Sequence, residues 1–150
     1  MAHYSINVTG EAIAASTVET VLQVVAGATK PVRLSRWGIS FNGVDVTDQP
    51  VRVELLRLTS AGTSSAYTPK KLDPNSEASI AQGRTAHTAE PTADDVLEVH
   101  YVSPAGGNLV EVYSAGYPDE RPMVAPNGRL GIRVLAVDAV NVNCFLIFEE

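Results

Sequence analysis

Cysteine is almost missing from this chain of 150 residues, which holds a single one, Cys144. One thiol forms no intrachain disulfide, so the disulfide-stapled secreted modules are excluded. Cys144 lies inside the apolar run VNCFLIF and reads as a buried core thiol rather than a nucleophile. Aromatic residues are scarce, at 6%, and the lone Trp37 stands in an apolar strand pattern, where it reads as core rather than as a platform for a sugar ring. Basic residues are outnumbered, 11 against 17 acidic ones, for a net charge of −6, and they form no stripe. That balance speaks against a nucleic-acid partner. No apolar run nears the ~20 residues of a membrane-spanning helix, and the first residues, MAHYSINVTGEAIAAS, lack the pattern of a signal peptide. The expectation is a soluble chain with no membrane partner, made in a host cytoplasm, with its Asn7-Val8-Thr9 sequon unused.

Chemistry-bearing patterns are equally thin. His3, His87 and His100 stand at no metal-ligand spacing from one another or from Cys144. Asp73, Asn75 and Glu77 alternate in a way that suggests calcium, but the glycine and bidentate glutamate of a calcium loop are not at the required offsets. The pairs Asp94-Asp95 and Glu149-Glu150 would point to opposite faces of a strand. Asp119-Glu120-Arg121-Pro122 reads as a solvated turn, or as an ion pair that positions one. No nucleophile-elbow, phosphate-loop or dinucleotide motif is present. The sequence therefore predicts no enzyme, no catalytic residue, no cofactor and no metal.

What is present is strand after strand. HYSINV places Tyr4, Ile6 and Val8 on one face, and PVRVELLRL places Val51, Val53 and Leu55 inward with Arg52 and Glu54 outward. In PVRLSRWGISF the apolar phase switches between Leu34 and Trp37, which predicts a bulge, or a bend where the strand changes sheets. In DVLEVHYV, Val99 and Tyr101 occupy one face and Glu98 and His100 the other; the polar pair is expected to be the solvated one. Asn42-Gly43, SPAGGN and Pro126-Asn127-Gly128 are turn signals. The last strand alternates Val142, Cys144, Leu146 and Phe148 with Phe145 and Ile147, so it is apolar on both faces and is expected to be either central to the core or set with one face against another subunit. Sustained helical periodicity is absent apart from a weak possibility near residues 16–25. About eight or nine short strands with Gly, Pro, Asn and Asp at the joints predict an all-β antiparallel sandwich of jelly-roll type, one domain over 1–150. Residues 1–10 form a possible N-terminal arm. Residues 59–83 form a long inter-strand loop, stiffened by Pro69 and Pro74 and expected to be an ordered crossover packed along the sandwich or against a neighbour.

Four stretches carry a resemblance: Thr68-Pro69-Lys70-Lys71-Leu72-Asp73-Pro74, Glu120-Arg121-Pro122, Pro126-Asn127-Gly128-Arg129-Leu130 and the terminal Leu146-Ile147-Phe148-Glu149-Glu150. Over roughly residues 30–150 the chain resembles small β-sandwich structural proteins of tailed bacteriophage virions. The resemblance implies a capsid decoration, or cement, protein. It would sit on the capsid surface as a homotrimer, in contact with the major capsid protein. Tyr4, Ile6, Tyr67, Lys70, Lys71, Asp73, Phe145 and Ile147 are the expected interface residues, drawn from the arm, the long loop and the two-faced last strand. A tail, baseplate or adaptor component and a carbohydrate-binding sandwich are the alternatives.

Overall fold

The computed structural model describes residues 1–150. Its strands are β1 (His3–Ile13), β2 (Val18–Val25), β3 (Val32–Asn42), β4 (Val51–Leu58), β5 (Thr63–Tyr67), β6 (Lys70–Lys71), β7 (Gln82–Ala89), β8 (Ala93–Val102), β9 (Asn108–Val112), β10 (Met123–Val124), β11 (Arg129–Leu135) and β12 (Val140–Glu149). The one helical element is a 3₁₀ turn, Pro118–Glu120. Residues 18–25, where a helical turn was possible, are strand, consistent with the β-branched content of VETVLQVV.

All strand pairs are antiparallel and form two sheets. The first runs β10-β3-β12-β1-β6, with β9 also on β3; the second runs β5-β7-β2-β11-β4-β8. Taking β1-β12-β3-β9 against β2-β11-β4-β8 gives the nested double Greek key of a jelly roll, as expected from the strand pattern. Inward residues alternate along every central strand. They include Ile6, Leu34, Trp37, Val53, Leu55, Ile132, Val142, Leu146 and Phe148, which belong to one continuous core.

The phase switch in β3 is a bulge. Arg36 pairs with Ile147 and Leu34 with Phe148, which leaves Ser35 unpaired between them. That extra residue turns both Leu34 and Trp37 into the core. At Pro126-Asn127-Gly128, Asn127 takes φ 63°, the left-handed conformation that Asn tolerates.

Residues 59–83 differ from the expected plain loop. TSSAY forms β5 at the margin of the second sheet, while Lys70 and Lys71 pair with Ser5 and Tyr4 in the first. The sequence signal failed here because β5 is an exposed edge strand of small and hydroxyl residues, with no apolar face to alternate. The stretch does cross between the sheets, and its remainder is tied down. Glu150 accepts from the N–H groups of Ile80 (2.8 Å) and Ala81 (3.1 Å), and the Tyr4 hydroxyl donates to the Glu77 carbonyl at 3.0 Å.

β4 and β8 lie at one margin of the second sheet, and β5 and β7 at the other. Their links, 59–62 and 90–92, therefore run together across β11 and β2. Thr59 N–H donates to Thr92 O at 2.9 Å, and Glu90 accepts from the Thr20 N–H (2.8 Å) and hydroxyl (2.7 Å) on β2. Gly62 makes this approach possible: at φ 63°, a Cβ there would stand 2.3 Å from Ala89 O.

The possible N-terminal arm is likewise part of the sandwich. β1 pairs with β12 over most of its length, because Tyr4 and Ile6 supply apolar surface that only the core can cover.

Candidate functional site

The strand that departs most from expectation is β8. Its pairing sets Val102 against Val51, His100 against Val53 and Glu98 against Leu55, all partners that face the core. Glu98 and His100 therefore point inward, and Val99 and Tyr101 point out, opposite Glu54 and Arg52. The expected solvated face is the inner one. The alternation in DVLEVHYV was legible, but alternation alone does not say which face is inside; only pairing to β4 decides it.

The inward polar groups are satisfied by a short network. Trp37 Nε1–H donates to Tyr113 Oη at 3.0 Å, Tyr113 O–H donates to Glu98 Oε1, and Glu98 Oε2 lies 3.3 Å from His100 Nε2. The His100 ring is 5.8 Å from that of Trp37. Burial, and then the bond to the Glu98 carboxylate, push the Tyr113 hydroxyl far above its ordinary range, so it stays a donor. Inward charges on an edge strand are also a recognised guard against uncontrolled strand addition.

The consequence lies outside. Val96 is 42%, Val99 45% and Tyr101 69% exposed, in a row along a sheet margin with no strand beyond it. Behind the row, Glu54 is clasped by Arg52 (2.7 Å) and Arg133 (2.7 Å). Apolar and tyrosine side chains beside arginines are the composition of interface centres.

Two further polar clusters are structural in character. Arg121 is buried and donates to Leu34 O (2.9 Å), Glu149 Oε1 (2.8 Å) and Ser35 Oγ (2.8 Å). The ion pair expected of the Asp119–Pro122 cluster is thus Arg121–Glu149, and it fastens the segment after β9 to the bulge in β3. At one end of the sandwich Glu11 of β1 and Glu19 of β2 face each other. Burial first, and then the charge of Glu19, push Glu11 up to about 7. Nearby, burial holds His87 below its ordinary value, and burial pushes the Cys144 thiol up. No three His, Cys, Asp or Glu side chains converge as metal ligands. Asp73 Oδ1 instead accepts from the Asn75 N–H at 2.9 Å, closing a local turn.

The expected interface residues scatter. Tyr4 and Ile6 are core residues, fully covered within the chain itself, and so are unable to meet a neighbour. Tyr67 is half-buried, with its hydroxyl 3.4 Å from Asn7 Oδ1. Lys70, Lys71 and Asp73 are exposed at the β6 margin of the first sheet. Phe145 and Ile147 lie on the outer face of that sheet, opposite Gly38 and Arg36, with Ile147 buried and Phe145 half-buried. The structure brings these two together and leaves the β6 residues one strand away, beyond β1. The β8 row was missed altogether.

No protein-family model, curated protein or solved structure matches the chain.

Proposed function

We propose that this chain is a structural protein of a phage particle, of the capsid decoration type, which acts by association rather than catalysis. The observation that carries the reading is the inverted edge strand: β8 turns Glu98 and His100 toward the interior and presents Val96, Val99 and Tyr101 to the outside. Apolar surface on a sheet margin is stabilised when a second surface removes it from water, at roughly 25 cal/mol per Å². In this reading the row joins copies into a homotrimer, and the exposed β6 margin with Lys70, Lys71 and Asp73 faces the major capsid protein. The resemblance motifs support a rigid scaffold: one supplies the Arg121 anchor, another the Asn127 turn.

Sedimentation equilibrium at micromolar concentration tests the self-association. A trimer of about 48 kDa, three times 15.9 kDa, is expected, and Tyr101→Ser with Val99→Ser should return it to a monomer. A wild-type monomer at every concentration overturns the trimer. Quantitative mass spectrometry of purified particles tests the role: hundreds of copies support a shell position, a handful point to a tail component, and absence removes the proposal.

A further inference from the structure

We infer that the outer face of the first sheet carries a binding site for a neutral carbohydrate. The strand register lays this face out as a lattice. Val110, Gly38, Phe145 and Asn7 form one row, and Asn108, Ser40 and Asn143 form the next. Together they line an open dish of about 350 Å³, the lower end of the range of small-ligand sites.

Its floor is aromatic. A Cβ at Gly38 would stand 2.5 Å from Phe145 Cε1, so the ring leans across β3 into space that only glycine leaves open. The ring offers apolar surface to the C–H groups of a sugar.

Its rim is amide and hydroxyl. Asn143 is already fixed: its Oδ1 accepts from Gly10 N–H at 2.9 Å, and its Nδ2 donates to Asn42 Oδ1 at 3.0 Å. Asn108, Ser40 and Thr9 make no side-chain hydrogen bond within the chain, and the Asn7 Nδ2 donors are unspent. Each amide offers donors and an acceptor side by side, the complement of vicinal hydroxyls.

Charge decides the ligand class. None of the residues lining the dish is ionisable except the covered Cys144, although 19% of the chain is Asp, Glu, Lys or Arg. An anionic glycan would find no cation among the residues lining the dish to pair with. Vicinal hydroxyls over one apolar ring fit both the aromatic and the amides. Arg36 lies over the Phe145 ring, its guanidinium carbon 5.9 Å from the ring centre, at the margin of the dish, where its N–H groups can donate to a sugar hydroxyl.

A glycan array followed by an ¹⁵N NMR titration with the best neutral oligosaccharide tests the site. The expected result is binding to neutral glycans, with shifts centred on Ser40, Asn108 and Phe145. Phe145→Ala should weaken it at least tenfold. Asn108→Asp, which alters only an exposed side chain on an edge strand and puts a charge in the dish, should weaken it comparably without changing the melting temperature. Absence of neutral hits, a preference for sialylated or sulfated glycans, or full binding by Asn108→Asp would each overturn the inference. So would concentration-dependent burial of this face by a second copy. The β8 row lies on the other sheet, so Tyr101→Ser should leave sugar binding intact, and failure of the trimer does not touch this result.

Discussion

Replacing Glu11 by Gln should make the protein more stable at pH 8 and leave it nearly unchanged at pH 4.5. Glu11 enters from β1 opposite Val142, a core residue, and so points into the sandwich at the end where Glu19 of β2 also points inward. Burial and the Glu19 charge lift its pKa from an ordinary 4.5 to about 7. Below pH 4.5 the carboxyl is protonated in both folded and unfolded chains, and its full favourable contribution is present. As pH rises through the window from 4.5 to 7 the unfolded chain ionises first, so stability falls, and above 7 the loss is complete. A gap of that size corresponds to about 3 kcal/mol at 1.36 kcal/mol per decade. Glu11 is only partly covered, and solvent screening lowers the expectation to about 1–2 kcal/mol. Glu19, raised by burial and then by the charge of Glu90, is hydrogen-bonded to Glu11, so its own titration changes with the substitution and the comparison reads the Glu11–Glu19 pair. His87, held low by burial, contributes stability above its ordinary 6.5 that is lost as pH falls, in both proteins. The assay is urea unfolding of both proteins at pH 4.5 and pH 8 and fixed ionic strength, comparing the mutant-minus-wild-type difference at the two pH values. For a domain of this size the gain at pH 8 would also raise Tm by about 2–8 °C. An equal difference at both pH values would refute the reasoning, because it would locate the effect in packing rather than in ionisation.

The buried Arg121–Glu149 pair gives a second expectation. Arg121→Ala leaves Glu149 buried without its cation and should cost about 3–5 kcal/mol in urea unfolding, whereas Arg121→Met with Glu149→Leu should recover most of that loss; an equally unstable double variant would show that the Leu34 and Ser35 bonds, rather than the charge, hold the segment. At the crossing of the two ribbons, Gly62→Ala meets both an unfavourable backbone conformation and the Ala89 carbonyl, and should cost about 2 kcal/mol or more; a loss below about 0.5 kcal/mol by thermal melting would mean that the crossing shifts easily.

Some of this protein was decided by the order of its residues alone. Alternating apolar positions in β1, β4, β11 and β12, together with turn residues at Asn42-Gly43 and Pro126-Asn127-Gly128, determine an antiparallel sandwich, because one face of each strand must leave water. The irregularity in β3 was legible for the same reason, as a change of apolar phase across Ser35; the pairing with β12 made it a bulge rather than a bend between sheets. The two outward apolar residues of β12, Phe145 and Ile147, were legible as a second face. What the sequence did not contain is the side on which each face falls. Glu98 and His100 are inward because the pairing of β8 with β4 sets them opposite Leu55 and Val53, where Trp37 and Tyr113 provide a ring and a hydroxyl that satisfy them. Tyr4 and Ile6 are lost to an interface because β12 and the core claim them before any neighbour can. Asn7, Ser40, Asn108 and Phe145 become one dish only through the register of four strands. Local pattern sets which residues share a face; long-range pairing sets what that face meets, and function rests on the second.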